Sequence, residues 1–282
     1  MNDITLKAHA KINLYLDIVG KREDGYHNIK SIIQSVELHD VVHIQRTHGE
    51  PAIMLECTDA TLPTDRKNIA YRVAEYIMKT YDLPNGLHIR IEKNIPVEAG
   101  LGGGSADAAA VLKGMRELFA LPLSNVHLAE IGKQFGADVP FCIYGGTMLA
   151  EGIGDIFTPL PDFSQTHVLI AKPPFGFSTK EMYSKLNVPH LPNAALCHYE
   201  QNKESRFFNI FENVHVPNIS VIQNIKAAMI KNGAHASLMS GAGSAVFGLF
   251  ESEASIQAAV SILTQSFTTA TFIITNTISG KD

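Results

Sequence analysis

Cysteine is scarce in this sequence and basic residues are not in excess, and these two shortages exclude several classes of protein. The chain of 282 residues has three cysteines, Cys57, Cys142 and Cys197, and such an odd, widely spaced set argues against a disulfide framework and predicts a reducing compartment. The formal net charge of -5 at pH 7 disfavours a nucleic-acid partner, because binding along a phosphate backbone depends on a basic surface. A small anionic ligand needs only a local positive site, so phosphate binding remains compatible with this charge.

Long apolar runs are missing as well. No uninterrupted apolar stretch reaches the length of a membrane-spanning helix, and the first residues lack both an apolar signal core and an Arg/Ser-rich transit pattern. With 45% hydrophobic and 18% charged residues, the composition is typical of a globular protein with one large domain or two modest ones. We therefore expect a cytoplasmic protein without a membrane partner. The sequence leaves open whether it is a monomer or a homodimer.

A cluster of glycines that runs into a predicted helix is the most informative segment. Glycines lack Cβ atoms, so successive N–H groups between Pro96 and Ala106 can turn inward towards an anion. We expect the helix to begin near Ser105 and to direct its unpaired first N–H groups at the same place. Ser105 either caps this helix or places its hydroxyl on a phosphate-bound metal ion. The segment therefore predicts a phosphate site.

The glycine cluster does not by itself name the phosphate-binding fold. A Walker loop requires a lysine that is absent after Gly104, so a P-loop NTPase is disfavoured. The dinucleotide pattern G-x-G-x-x-G is matched only loosely around Gly100 and Gly102. Neither an H-R-D nor a D-F-G segment occurs, which argues against a protein kinase.

Periodicity along the chain predicts alternating strands and helices. Residues 4 to 19 alternate as a strand with Lys11 and Asn13 on its polar face, and Ser178-x-x-Glu181 predicts a capping box. The proline-containing run 158 to 161 predicts a linker between two domains. In the first half we predict strands near 35–46, 52–57, 87–91 and 146–150 and helices at 68–81 and 124–136. In the second half we predict the β-α-β-β-α-β order of a ferredoxin-like domain, formed by 167–171, 219–232, 236–239, 245–250, 254–266 and 269–275.

Three segments of the sequence resemble the three motifs of the GHMP kinases, the superfamily of galactokinase, homoserine kinase and mevalonate kinase. They are Ala10-Lys11-Ile12-Asn13-Leu14, Pro96 to Asp107, and Ser240-Gly241-Ala242-Gly243. Two further segments, Lys21-Arg22-x-Asp24-Gly25-Tyr26-His27 and Gly136-Ala137-Asp138-Val139-Pro140-Phe141, resemble the branch whose substrate is a cytidine diphosphate-linked polyol. The resemblance weakens between about 187 and 218.

The resemblance implies an α+β fold of two domains and an ATP-dependent kinase of a small molecule. Residues 1–160 would form a ribosomal-S5-like, ATP-binding domain, and residues 161–282 a ferredoxin-like C-terminal domain. The reaction would move the γ-phosphoryl group of ATP to a hydroxyl of the polyol, with Mg2+ bridging the phosphates and touching Ser105. Asp138 would accept the hydroxyl proton, and Lys11 would lie beside it and neutralise charge on the transferring group.

The resemblance also implies the binding residues. The ATP-binding set would be Asn68, Lys93, Pro96, Val97, Glu98, Ala99, Gly100, Leu101, Gly102, Gly103, Gly104, Ser105 and Ala106. The substrate-binding set, which reads cytosine by hydrogen bonds and stacking, would be Asn13, Tyr26, His27, Thr179 and Tyr183.

The sequence departs from the family pattern at two positions, and it leaves other functions open. His9 replaces the usual proline before Ala10-Lys11, and Ser244 stands where many relatives carry proline. A homoserine, mevalonate or sugar kinase of the same superfamily remains an alternative. In such a kinase the turn formed by residues 24–27 would have no evident function, because those substrates lack a nucleobase. A nucleotide-binding regulator without catalysis is a further alternative, against which the retention of both Lys11 and Asp138 argues.

Overall fold

Two long strands occupy most of the first 47 residues. The structure is a computed structural model that describes residues 2–49, 52–163, 165–186 and 207–280. Strand β1 spans Asp3–Lys21 and strand β2 spans His27–Thr47, so the strand predicted near 35–46 begins earlier than expected. Strand β1 is buried without interruption from Ala10 to Ile18 and strand β2 from Lys30 to Val36, so polar side chains such as Lys11 and Asn13 lie in the protein interior.

One compact unit contains Met1–Ala10, Leu38–Ile95 and Gly102–Gly145. Besides parts of β1 and β2, its elements are β3 (Ile53–Cys57), α1 (Ile69–Thr80), β4 (Gly86–Glu92), α2 (Gly103–Leu118), α3 (Asn125–Lys133) and α4 (Val139–Tyr144). Strand β4 pairs antiparallel with β2 and parallel with β3, and the large, fully buried Ile44, Ile89 and Ile91 contribute to the core. The helices α1 and α2 pack against each other, and α4 packs on both α2 and α3.

A second unit contains Lys11–Glu37, Pro96–Leu101 and Gly146–Asp282. Its further elements are β5 (Thr147–Glu151), β6 (Ile156–Pro159), β7 (His167–Lys172), α5 (Thr179–Ser184), β8 (Phe208–Asn209), a 3-10 helix (Ile210–Asn213), α6 (Ile219–Lys231), β9 (Ala236–Met239), β10 (Val246–Phe250), α7 (Glu253–Ser266) and β11 (Thr271–Asn276). Its antiparallel four-stranded sheet has the order β11-β7-β10-β9, which confirms the predicted ferredoxin-like β-α-β-β-α-β pattern.

Several local predictions were wrong. Thr158 and Pro159, the first two residues of the run 158–161, belong to β6 and pair with β5, while the interpretation of this run as a linker between domains stays a prediction. The helix α4 was missed, because Val139-Pro140 resembles a helix breaker although proline is accepted in a first turn. Ser178 accepts a hydrogen bond from the Glu181 N–H at 3.4 Å, which is only half of the expected capping box. Residues 187–206 lie outside the described residues and make up most of the region where the resemblance weakens. The domain boundary near 160 stays a prediction.

Candidate active site

The first motif places a lysine and an asparagine side by side on β1. The Lys11 Nζ donates a hydrogen bond to Asn13 Oδ1 at 2.7 Å, and Asn13 Nδ2 donates to Ser31 Oγ at 2.9 Å. Ser31 Oγ in turn donates to the Tyr15 carbonyl at 2.7 Å. Because Lys11 and Asn13 are both 4% exposed, this chain of hydrogen bonds holds the ammonium and the amide in fixed directions.

The glycine loop is the segment from Pro96 to Ala106, and its first half, residues 96–101, lies against the glycine-rich bend of the third motif, residues 240–244 (the 240–244 bend). Ser240 Oγ donates to the Gly100 carbonyl at 2.9 Å, and the Ala245 N–H donates to the Ala99 carbonyl at 3.0 Å. The Lys11 N–H donates to the Leu101 carbonyl at 2.9 Å. Parts of all three motif segments, residues 11–14, 96–101 and 240–243, therefore meet within the second unit.

Glycine is required where the loop and the bend touch. Gly100 has φ +74°, and a Cβ there would overlap the Ser240 carbonyl oxygen. At Gly241 a Cβ would lie 3.1 Å from the Gly100 carbonyl oxygen and 3.4 Å from Lys11 Nζ. The bend thus brings its backbone close to the lysine of the first motif, and this close approach is the reason that glycine is required there.

We expect Gly100→Ala to lower the free energy of unfolding by about 2–3 kcal/mol, because strained backbone and steric overlap add together. Gly233→Ala is the matched control, since Gly233 has φ +101° but nothing within 4 Å of an added Cβ. The control isolates the backbone cost of about 1 kcal/mol. Urea unfolding of the two variants measures the difference, and equal losses would contradict the contact between Gly100 and the bend.

Helix α2 begins within the second half of the glycine loop, residues 102–106, and no side chain of the described residues caps its N-terminus. Gly102 has φ 72° at the N-cap position, and the Ala106 N–H makes a hydrogen bond to the Gly102 carbonyl at 2.9 Å. The helix therefore begins at Gly103, and of the two alternative roles expected for Ser105 the helix cap is excluded. No side chain within the described ranges caps this end. Its first N–H groups and dipole suit a phosphate oxygen, so the residues present fit the predicted anion.

A buried group of three charged side chains lies beneath the first residue of α2. Lys93 Nζ donates to Asp107 Oδ2 at 2.8 Å and also to Asp40 Oδ2, and the three side chains are 5%, 5% and 0% exposed respectively. Asp40 Oδ1 accepts the N–H groups of Asn94 at 2.6 Å and Ile95 at 2.8 Å. This cluster, Asp40–Lys93–Asp107, fixes the Lys93 ammonium 3.2 Å from where a Cβ at Gly103 would lie.

The electrostatics of the Asp40–Lys93–Asp107 cluster follow from burial. Burial raises the pKa of Asp107 to about 7, although the neighbouring Lys93 acts in the opposite direction. Burial lowers the pKa of Lys93, but the two carboxylates outweigh it, so that this pKa is raised. Asp107 Oδ1 is buried and has no hydrogen-bond partner in the part of the chain that the structure describes. Sequence reasoning named Lys93 and missed the role of both of its partners: Asp107 ends the second motif segment, whereas no local pattern marks Asp40.

Asp138 lies at the start of α4. It occupies the N-cap position without a side-chain cap, and its carbonyl accepts the Cys142 N–H at 3.1 Å. The same turn comes close to the phosphate loop, because a Cβ at Gly136 would lie 3.5 Å from Ser105 Oγ. Lys11 belongs to the second unit, and the expected pairing of Lys11 with Asp138 stays a prediction.

Asn68 also acts as a helix cap. Its Oδ1 accepts the Ala70 N–H at 2.9 Å and its Nδ2 donates to the Pro63 carbonyl at 2.9 Å, so the amide has a structural task at the start of α1. The next residue, Ile69, has its Cδ1 3.5 Å from where a Cβ at Gly104 would lie. An adenine contact by Asn68 and Lys93 stays a prediction.

Aromatic side chains gather near the turn that follows β1. The His27 and Tyr183 rings have centroids 5.2 Å apart, and Tyr183 meets Phe211 edge-on at 4.9 Å. Burial, followed by the charge of Lys21, lowers the pKa of His27, which favours a neutral imidazole that can both donate and accept. Tyr26 is 61% exposed, and Thr179, the exposed first residue of α5, is preceded by the cap Ser178. Of the predicted substrate residues, the structure thus brings His27 and Tyr183 together.

Two other features, a cluster of metal ligands and a membrane-spanning helix, are absent from the described residues. Among the described residues, no group of three or more His, Cys, Asp or Glu side chains could hold a metal ion. None of the helices in residues 2–49, 52–163, 165–186 and 207–280 is long and apolar enough to cross a membrane.

Comparison with known families identifies the class of protein that this fold and site define. The model of the GHMP kinases N terminal domain matches residues 68–146, and the GHMP kinases C terminal model matches residues 195–269. These ranges include Asp138, the whole glycine loop and the 240–244 bend. The class is the GHMP kinases, which use ATP as phosphate donor.

Individual relatives narrow this class. A protein of Acetivibrio thermocellus named 4-diphosphocytidyl-2-C-methyl-D-erythritol kinase is 47% identical over 262 residues, covering 90% of this chain and 92% of the relative. A Clostridium botulinum protein of the same name is 44% identical over 254 residues, covering 87% and 90%. The chain therefore belongs to the family of 4-diphosphocytidyl-2-C-methyl-D-erythritol kinases.

Solved structures agree with this assignment. A crystal structure of 4-(cytidine 5'-diphospho)-2C-methyl-D-erythritol kinase has a TM-score of 0.81 at 29% identity, with 97% of this chain and 99% of that chain covered. A homoserine kinase from Cytophaga hutchinsonii has a TM-score of 0.78 at 19% identity, with 99% and 95% covered. The second likeness shows the shared fold alone. The predicted two-domain GHMP kinase fold is confirmed.

Proposed function

We propose that the protein transfers the γ-phosphoryl group of ATP to the 2-hydroxyl of 4-diphosphocytidyl-2-C-methyl-D-erythritol, in the non-mevalonate route to isoprenoids. The observation that carries this proposal is the meeting of the three motif segments beside Lys11, in a chain of this family. Phosphoryl transfer depends on positioning and on charge stabilisation, and a buried, hydrogen-bonded lysine beside a phosphate loop suits both requirements.

In the proposed reaction, each motif has one task. The substrate hydroxyl oxygen forms a bond to the γ-phosphorus while the bond from that phosphorus to the β–γ bridging oxygen breaks, and ADP leaves with the electron pair. Asp138 accepts the hydroxyl proton, and the Lys11 ammonium neutralises negative charge on the transferring group. The loop from Pro96 to Ala106 holds the phosphates through its N–H groups and the N-terminus of α2.

Mg2+ is a further part of the proposal. Mg2+ is commonly held by substrate phosphates, several waters and one or two protein oxygens, so it needs no cage of carboxylates. The Ser105 hydroxyl, in the first turn of α2, is an oxygen of the required kind. When bound, the ion neutralises charge on the β- and γ-phosphates. A cytoplasmic location and the oligomeric state, monomer or homodimer, stay predictions.

The substrate side of the proposal rests on the aromatic group around His27 and Tyr183. A pyrimidine offers a hydrogen-bonding edge and a flat face, and a neutral imidazole with phenol rings can meet both. Asn13 lies on the strand that precedes this turn and contributes an amide. Tyr26 and Thr179 complete the proposed set.

A coupled ADP-release assay tests the function. We expect turnover with the cytidyl substrate and none with homoserine or mevalonate, because neither of those compounds has a base for the His27 region to bind. Turnover of homoserine or mevalonate alone would contradict the proposed substrate. ATP binding without turnover of any of them would instead favour the regulator.

A further inference from the structure

The 240–244 bend is held by a side chain that belongs to none of the three motifs. Asn209, the last residue of β8, is 2% exposed and donates from Nδ2 to the Met239 carbonyl at 2.7 Å and to the Gly241 carbonyl at 2.8 Å. Its Oδ1 accepts the Phe211 N–H at 3.0 Å. Both amide donors of Asn209 are therefore used to hold the backbone where β9 leads into the bend.

A second side chain from the same short segment completes this support. Glu212 Oε1 accepts the Met239 N–H at 2.7 Å, while its other oxygen forms an ion pair with Lys226. The N–H and the carbonyl of Met239 are thus both bound by side chains from residues 209–212. Such support is expected where a backbone must be held in one conformation, because each buried peptide group needs a partner.

The bend that Asn209 supports touches the parts of the site that act on phosphate. Ser240 Oγ donates to the Gly100 carbonyl at 2.9 Å, and Gly241 lies beside Lys11 Nζ. Asn209 itself stands opposite Leu16 in the parallel pairing of β8 with β1, the strand that carries Lys11. A shift of the Gly241 carbonyl would therefore be transmitted both to the glycine loop and to the space around the lysine.

We infer that Asn209 is a positioning residue for phosphoryl transfer, which acts by fixing the 240–244 bend against Gly100 and Lys11. The inference rests on the proposed function. It assigns Asn209 no contact with either substrate, so its loss affects the alignment of the reacting groups more than the binding of the cytidyl compound. Small misplacements of this kind reduce the rate strongly, since transfer depends on the geometry of the bound groups.

Asn209→Asp is the discriminating variant. Aspartate keeps the shape and the acceptor oxygen for Phe211, but it has no donor when ionised and a single O–H donor when protonated, so it cannot hold both the Met239 and the Gly241 carbonyl. We expect kcat to fall by about 10- to 100-fold, with the KM for the cytidyl substrate unchanged. Asn209→Ala should show the same direction of change. If the side chain only filled space, Asn209→Asp would behave as the wild-type protein.

A structural control separates positioning from loss of stability. Ile225→Ala removes a fully buried side chain of α6, which packs in the hydrophobic core of the same unit and, being aliphatic, makes no hydrogen bond to the bend. It should lower the melting temperature and leave kcat unchanged when measured below that temperature. A fall in kcat for Ile225→Ala as large as for Asn209→Asp, at equal fractions folded, would overturn the inference.

Hydrogen exchange supplies a readout that does not depend on activity. The Gly243 N–H donates to the Ser240 carbonyl and the Ala245 N–H to the Ala99 carbonyl, so both should exchange faster in Asn209→Asp but not in Ile225→Ala. Unchanged exchange at these amides would overturn the inference. If the wild-type protein turned over no substrate, the proposed function would fail, and this measurement would still decide whether Asn209 holds the bend.

Discussion

Replacing Asp138 with asparagine is expected to lower kcat by about 10²- to 10⁴-fold, the range found when a positioned acid or base is removed. Asparagine preserves the size of the side chain and the N-cap position of α4, so the fold of the turn should persist. It cannot take up the proton of the attacking hydroxyl. Steady-state turnover with the cytidyl substrate gives kcat, and calorimetric titration with an ATP analogue should show unchanged affinity, because the proposal gives Asp138 no contact with the nucleotide.

Asp82→Asn is the matched control for this variant. Asp82 is an exposed aspartate of the same unit, and its φ of 46° is a conformation that asparagine tolerates. The same charge is removed, so any general effect of net charge on turnover appears in both variants. Full activity of Asp138→Asn would show that the hydroxyl proton leaves by another route.

The elements that sequence patterns predicted well are those with local signals. The helices α6 and α7 and the strands around them have clear apolar periodicity and turn residues at their ends, so the ferredoxin-like order could be read directly. The start of α2 was misjudged because glycine is a poor helix former, and a cap was expected at Ser105. The structure uses the left-handed conformation of Gly102 instead, which no propensity scale indicates.

The parts of the site that were missed depend on partners distant in sequence. Asp40 lies 53 residues before Lys93, and Asn209 lies 32 residues before Gly241. Nothing near either residue marks it as a partner, because the pairing arises only when strands and helices pack. Sequence motifs therefore identified residues expected to touch the substrates, while the side chains that hold those residues in place required the structure.

Lys93→Met is expected to destabilise the first unit strongly. The substitution keeps the length of the side chain but leaves the buried carboxylates of Asp40 and Asp107 facing each other without a cation. Removing one partner of a buried ion pair costs about 3–5 kcal/mol, because the remaining charge is neither hydrated nor compensated. Urea unfolding followed by far-UV circular dichroism measures this loss in the free energy of unfolding.

Two further variants test whether the loss comes from the buried charges. Lys79→Met breaks an ion pair with Glu75 in the same unit, but Lys79 is 69% exposed, so about 0–1 kcal/mol should be lost. Adding Asp107→Asn to Lys93→Met should restore part of the stability, because it removes one of the two uncompensated carboxylates. If the double variant were no more stable than Lys93→Met alone, the uncompensated charge of Asp107 would not be the source of the loss.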